Sequence, residues 1–241
     1  MKVTYQGTAY FKIPQDVVLN NLSGHIEKAS LSADGSKITI EFITNFDSEV
    51  KALNATHELV KEIERKIFFH WNKEILNIEC KKIEMSTSNE DTKIIILQDR
   101  VNLQSSIQVI SSVSNDEIAN FSNAIDSNRQ ETSYFKLFFD IAKMNDKIGS
   151  FIMLYSLLLL VIDSRQRIVD EYILDVYPEI ETRETTREDR NYHETLYTWL
   201  RNQLGHLKED GNSAQINQEI LSCYNSFVGL VRQALIDRGH A

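Results

Sequence analysis

Proline and glycine are scarce in this chain: two and eight residues among 241. So few breakers leave room for long uninterrupted elements, and helices profit most from that. Cysteine is scarcer still. Cys80 and Cys223 lie far apart, and neither has a C-x-x-C partner or a Cys/His cluster nearby. That argues against a disulfide framework and against a zinc site, and it makes the reducing cytoplasm the expected compartment. Each thiol reads as a small buried hydrophobe. The opening MKVTYQGTAY lacks an apolar run and a cleavage pattern, so no signal peptide is read there. A long apolar run is missing too. The stretch Phe151 to Ile162, FIMLYSLLLLVI, is 12 residues and carries Ser156. A membrane-spanning helix needs roughly 18 or more. The stretch reads as a helix buried on all sides, in a bundle core or at a subunit interface. No G-x-x-x-x-G-K-[ST] or G-x-G-x-x-G occurs. Phosphate-loop nucleotide binding therefore has no support, and neither a cofactor nor a metal is expected.

What is present fits a globular protein: 42% apolar and 25% charged residues, in a length that suits one large domain or two small ones. The net charge of −9 disfavours general coating of nucleic acid. The first 114 residues carry 13 basic and 15 acidic side chains, the remainder 13 and 20, so neither half is a basic module. A local site for one phosphate stays compatible with that balance.

The chain changes character near residue 114. Before it, β-rich stretches recur at Val3–Ile13, Gly24–Leu31, Lys37–Thr44, Ile78–Met85, Lys93–Gln98 and Ser106–Val113, with a hairpin turn at Ala33–Ser36. One helix is expected from Asp47, as N-cap, to Trp71, with Val50, Leu53, Val60, Ile63, Ile67 and Phe68 on one face. This predicts an α+β module over residues 1–113: an antiparallel sheet with one helix across it. Residues 114–241 read as an all-helical bundle. Its helices are expected near Asp116–Ser127, Glu131–Asn145, Gly149–Tyr177, Arg187–Lys208 and Ala214–Arg238. The third should bend around Asp163–Gln166 and stop at Pro178, with a polar loop over Glu179–Glu188.

The chemistry-bearing stretch is ETLYTWLRNQLGH, Glu194 to His206. On a helix, Leu196, Leu200 and Leu204 form an apolar stripe. Glu194, Thr198, Asn202 and His206 form a polar one. Arg201 falls to one side, about 140° around from His206 on an ideal helix. Histidine exchanges protons near neutral pH. Arginine keeps its charge and matches phosphate oxygens with a planar fork. Cleaving RNA through its own 2′-hydroxyl needs an acid or base and a cation for the charge developing on phosphorus. The spacing also fits a plain surface helix, with Arg201 paired to Glu194 and His206 capping the end.

Arg201-Asn202-Gln203-Leu204-Gly205-His206 resembles the R-x(4–6)-H signature of the HEPN superfamily. A polar residue follows the arginine, a small one precedes the histidine, and an acid stands upstream, all within an all-helical segment. The resemblance covers Asn115 to Arg238. A β-rich module ahead of such a domain resembles the arrangement of ApeA-like anti-phage proteins. The resemblance implies a helical bundle that homodimerises so that two motifs meet. It implies a metal-independent endoribonuclease leaving 2′,3′-cyclic phosphates, with a toxin–antitoxin or abortive-infection role and an antitoxin or other regulatory partner. His206 would be the acid/base, Arg201 the phosphate-binding cation, Asn202 an orienting group, and Glu194, with Thr198, a support. Some members keep the fold without catalysis, so a dimeric adaptor is the rival expectation.

Around the motif, Arg183, Arg187 and Arg190 either lead RNA to the site or sit in a solvated loop, since acids alternate with them. Tyr192, Tyr197 and Trp199 offer rings for stacking on bases, or for packing.

Overall fold

The computed structural model describes residues 1–86, 92–96, 111–126, 132–184, 193–205 and 213–240. Packing divides the chain into two units, Met1–Gln130 and Glu131–Ala241.

In chain order the first unit holds β1 (Lys2–Ala9), β2 (Phe11–Lys12), β3 (Val17–Ser23), β4 (Ile26–Ala33), β5 (Lys37–Thr44), α1 (Glu49–Trp71), β6 (Ile75–Ser86), β7 (Thr92–Ile96), β8 (Ser111–Ser112) and α2 (Asn115–Asp126). Six strands form one antiparallel sheet in the order β3-β4-β5-β1-β6-β7. The strand period of two decides which face is buried. Ile38, Ile40 and Phe42 of β5 turn inward, and Lys37 and Ile43 turn outward. Gly7 sits where β1 slips register against β6. A Cβ there would come within 3.0 Å of Leu76 O. The expected strand over Val3–Ile13 is broken at Tyr10, and its second part pairs in parallel with β8. Strand β3 was not expected: Asn20 and Asn21 weaken its strand character, and pairing with β4 supplies it. Of the expected strand Ser106–Val113, residues 106–110 lie outside the described residues.

Helix α1 starts one residue later than expected, with Ser48 as N-cap; Asp47 instead accepts from Lys51 Nζ at 3.1 Å. Val50 is 66% exposed and does not join the buried face, which is made by Ala52, Thr56, Val60, Ile63 and Ile67. A second helix shares this core. Ile118, Phe121 and Ile125 of α2 are buried with the α1 and sheet residues. Trp71 Nε1 donates to Glu117 O, and Lys66 Nζ to Ala124 O, both at 2.9 Å. Packing therefore carries the first unit past the change in composition at 113/114, because α2 has an apolar face that this core covers.

The second unit comprises α3 (Ser133–Ala142), α4 (Lys147–Ile162), α5 (Gln166–Val176), β9 (Thr182–Glu184), β10 (His193–Thr195), α6 (Leu196–Gly205) and α7 (Ser213–Asp237). The chain over 149–177 is two helices, bent by 95° at the break. Asp163 closes α4, and its carboxylate is held by Arg165 at 2.9 Å. Rings from three elements fill the centre: Phe227 of α7 lies 4.6 Å from Phe151 and 4.8 Å from Tyr197. Among the described residues no single helix is long and apolar enough to cross a membrane. On α4, Ile152, Met153 and Leu160 face outward.

The motif helix is shorter than its pattern. It begins at Leu196 rather than Arg187, and a two-stranded ribbon, β9 with β10, precedes it. The ribbon is closed by Leu196 N–H donating to Glu181 O at 2.8 Å.

Candidate functional site

Four buried polar residues cluster at the junction of β10 and α6. Glu194, Thr195 and Thr198 are each 0% exposed and Asn202 is 2% exposed. Buried polar groups are costly unless paired, so their partners define the site. Asn202 Nδ2 donates to both oxygens of Glu194, at 3.1 and 3.0 Å. Asn202 Oδ1 accepts from Arg201 Nη1 at 2.9 Å. Gln166 Nε2, on α5, donates to Glu194 Oε1 at 3.0 Å. Glu194 belongs to the ribbon, not to the helix, yet it meets Asn202 eight positions on.

A second chain of contacts lies beside the first. Asp170 of α5 accepts at Oδ1 from Thr195 N–H, at 3.1 Å, and from the Thr195 hydroxyl, at 2.6 Å. The Thr195 and Thr198 hydroxyls stand 3.2 Å apart, and Thr198 meets the Tyr155 hydroxyl of α4 at 2.8 Å. The Tyr155 ring lies under Arg201, with the guanidinium carbon 5.7 Å from its centroid. That separation is within cation–π range. Burial pushes the Tyr155 hydroxyl well above its ordinary value. Burial likewise raises Asp170, against the pull of its Thr195 and Thr198 contacts. Asp170 Oδ2 has no hydrogen-bond partner among the described residues.

Of the polar stripe, Glu194, Thr198 and Asn202 therefore face inward. The leucine stripe is only partly buried: Leu200 is 0% exposed, and Leu196 and Leu204 are intermediate. Arg201, Asn202, Thr198 and Glu194 are brought together. Arg201 alone among these four keeps partial exposure. Tyr197 points elsewhere. It is 4% exposed with its ring against Phe227, so it serves the core. It also walls a separate, mostly apolar cleft of about 410 Å³, with Val176, Tyr177, Pro178 and Ile180. His206, Arg187 and Arg190 lie outside the described residues. Arg183 is spent on structure: it donates to Glu181 at 2.6 Å and Glu219 at 2.7 Å, and it stacks over Trp199 at 4.4 Å. The Cys223 thiol is raised to about 11, chiefly by burial, and is therefore unreactive at neutral pH.

Sequence reasoning missed Tyr155, Gln166, Asp170 and Thr195. Asp170 had a readable signal. It sits on the same helical face as Val169 and Ile173, a charge among residues that pack inward. Tyr155 was hidden in an apolar run whose hydroxyl needed a partner.

No family model, curated protein or solved structure matches this chain.

Proposed function

We propose that the second unit is a metal-independent endoribonuclease of HEPN type, acting as a homodimer in the cytoplasm. One observation carries the reading. Arg201, the cation of the R-x(4–6)-H motif, is met from two sides by Asn202 and Tyr155, and the residue as a whole stays partly exposed. A cation held ready in this way suits charge that develops on a phosphate. In this reading His206 takes the proton from the RNA 2′-hydroxyl, or returns one to the departing 5′-oxygen. The 2′-oxygen bonds to phosphorus as the P–O5′ bond breaks. The products are a 2′,3′-cyclic phosphate and a 5′-hydroxyl, and no metal takes part. Both polar atoms of Asn202 are engaged, by Glu194 and by Arg201; Glu194 and Thr198 support the frame. The first unit would sense a trigger or a regulatory partner such as an antitoxin, in a toxin or anti-phage setting. The outward residues Ile152, Met153 and Leu160 of α4 suit a contact between two copies.

The test is incubation of the wild type, Arg201→Ala and His206→Ala with total cellular RNA in EDTA. Fragments bearing cyclic phosphate ends from the wild type alone are the expected result. Equal fragment patterns from all three would sink the proposal. The net charge of −9 favours a second reading, a dimeric adaptor without catalysis that uses Arg201 to grip an anionic group on a partner. It predicts binding without cleavage.

A further inference from the structure

Both chains of contacts in the polar cluster begin on one helix. Gln166 and Asp170 stand one turn apart on α5 and address consecutive residues of β10. Gln166 donates to Glu194, and Asp170 accepts from Thr195. The two limbs then separate and meet again at Arg201. One passes through Asn202 to the guanidinium edge. The other passes through Thr195, Thr198 and the Tyr155 hydroxyl to the ring beneath the guanidinium face. We infer that Gln166 and Asp170 are positioning residues for Arg201, although neither lies in the motif.

The chemistry of each link supports this. A side-chain amide has two orientations, and its surroundings choose between them. The Glu194 carboxylate accepts only, so it takes the Asn202 NH₂ and leaves Oδ1 facing Arg201. The opposite orientation would set oxygen against carboxylate and N–H against guanidinium. Gln166 holds Glu194 where it enforces that choice, and its own Oε1 lies 3.5 Å from Asn202 Nδ2, closing a three-residue ring. On the second limb, the Tyr155 hydroxyl bond sets the ring plane. Asp170 anchors the threonine pair at the first turn of α6 and so sets where that hydroxyl bond forms.

Asp170 does this as an acceptor at Oδ1. It is 4% exposed, both its acceptor bonds fall on Oδ1, and Oδ2 is unpaired among the described residues. Burial raises its pKa, so it keeps its proton to higher pH than a free carboxyl does. The ionisable groups that face it are Glu194 on β10 and Tyr155 on α4. Asparagine keeps an acceptor oxygen for the Thr195 N–H and hydroxyl that Oδ1 holds.

The consequence for RNA cleavage rests on the proposed ribonuclease reading; the positioning itself does not. The experiment follows the Nε–Hε resonance of Arg201 in the full chain grown with isotope-labelled arginine, assigned by its loss in Arg201→Lys. Gln166→Leu should move that resonance to the position of freely exposed arginines while the backbone spectrum stays folded. Gln166→Asn, which shortens the reach but keeps the polarity, should move it in the same direction if the leucine variant does not fold. Asp170→Asn should preserve the resonance. In the RNA assay Gln166→Leu should lower kcat on the order of 100-fold, as a misplaced catalytic group does, with little change in KM. An Arg201 resonance unmoved in both Gln166 variants overturns the inference, whatever the RNA assay shows. Loss of the resonance in a folded Asp170→Asn overturns the role of Asp170 as the acceptor that positions Thr195. A wild type that leaves RNA intact, with the resonance moving as expected, sinks the ribonuclease reading and leaves the positioning in place.

Discussion

Helices α1 and α6 each bury one face, and they bury opposite chemistries. The covered face of α1 is chiefly apolar, Ala52, Val60, Ile63 and Ile67, where a set of similar volume would serve; its one hydroxyl, Thr56, bonds within its own turn to Ala52 O at 2.7 Å. The covered positions of α6 include Thr198 and Asn202, joined by Glu194 and Thr195 just ahead of it. A fold needs only the first kind. Each buried polar group left unpaired costs about 1–3 kcal/mol, so the second kind persists only where every partner is supplied. The contrast separates a surface that holds a unit together from one that holds a side chain in place.

Substitutions can break or sharpen that contrast. The largest effect should come from the shared frame. Phe227→Ala removes the ring that touches Phe151, Tyr155 and Tyr197, and should cost about 3–5 kcal/mol by denaturant unfolding. A loss below about 1 kcal/mol would mean the ring cluster is not the centre of the second unit. Next comes the difference between the two faces. Ile63→Val should cost about 0.5–1.5 kcal/mol. Glu194→Leu strands the Asn202 and Gln166 amides and should cost about 1–3 kcal/mol despite its larger apolar side chain. Equal tolerance at both positions would erase the distinction.

A pH series sharpens it further. Burial raises Asp170, so the folded state keeps this proton to higher pH than the unfolded chain does. Its contribution is fully present below the unfolded carboxylate value of about 3.9 and is lost as pH rises through the folded value. The Tm difference between Asp170→Asn and the wild type should therefore widen over that window in favour of the amide. Parallel Tm curves would show that Asp170 titrates normally. The smallest effect belongs to Asp34, an exposed turn residue outside both faces. Its Oδ1 accepts from Ser36 N–H, Ser36 Oγ and Lys37 N–H, at 2.9, 2.8 and 2.9 Å, and these bonds lower its pKa to about 2. Its contribution is present above the unfolded value and is lost as pH falls through about 2. Asp34→Ala should lower Tm slightly at neutral pH and not at all in strong acid. A drop that persists in strong acid would point to the turn backbone instead.

Much of the first unit was legible because strand alternation and the α1 periodicity are local signals. Ile38, Ile40 and Phe42 announce their face without reference to any neighbour. Strand β3 was not legible, since its Asn-rich half depends on β4 for its conformation. The helical content of the second unit followed from its patterning, and the break at Asp163–Gln166 from a cluster of polar residues. The start of α6 did not follow, because the β9–β10 ribbon rests on pairing between Thr182 and Thr195. Within the site, Arg201, Asn202 and Glu194 could be listed from spacing. Their mutual bonds, and the contributions of Gln166, Asp170 and Tyr155, arise from three other segments meeting in space. No one-dimensional period encodes that meeting.

The two bonds that tie α2 to α1 bear on how this chain can be dissected. Trp71 and Lys66 grip it near both ends, and Ile118, Phe121 and Ile125 fill the first unit's core. A fragment beginning at residue 115 would carry that helix away from its seat and expose a greasy strip, inviting aggregation that could pass for inactivity. A cut between Gln130 and Glu131 keeps the helix with the partner that covers it. The complementary piece, residues 1–114, would lose the lid of its own core and melt earlier for a reason unrelated to any regulatory role.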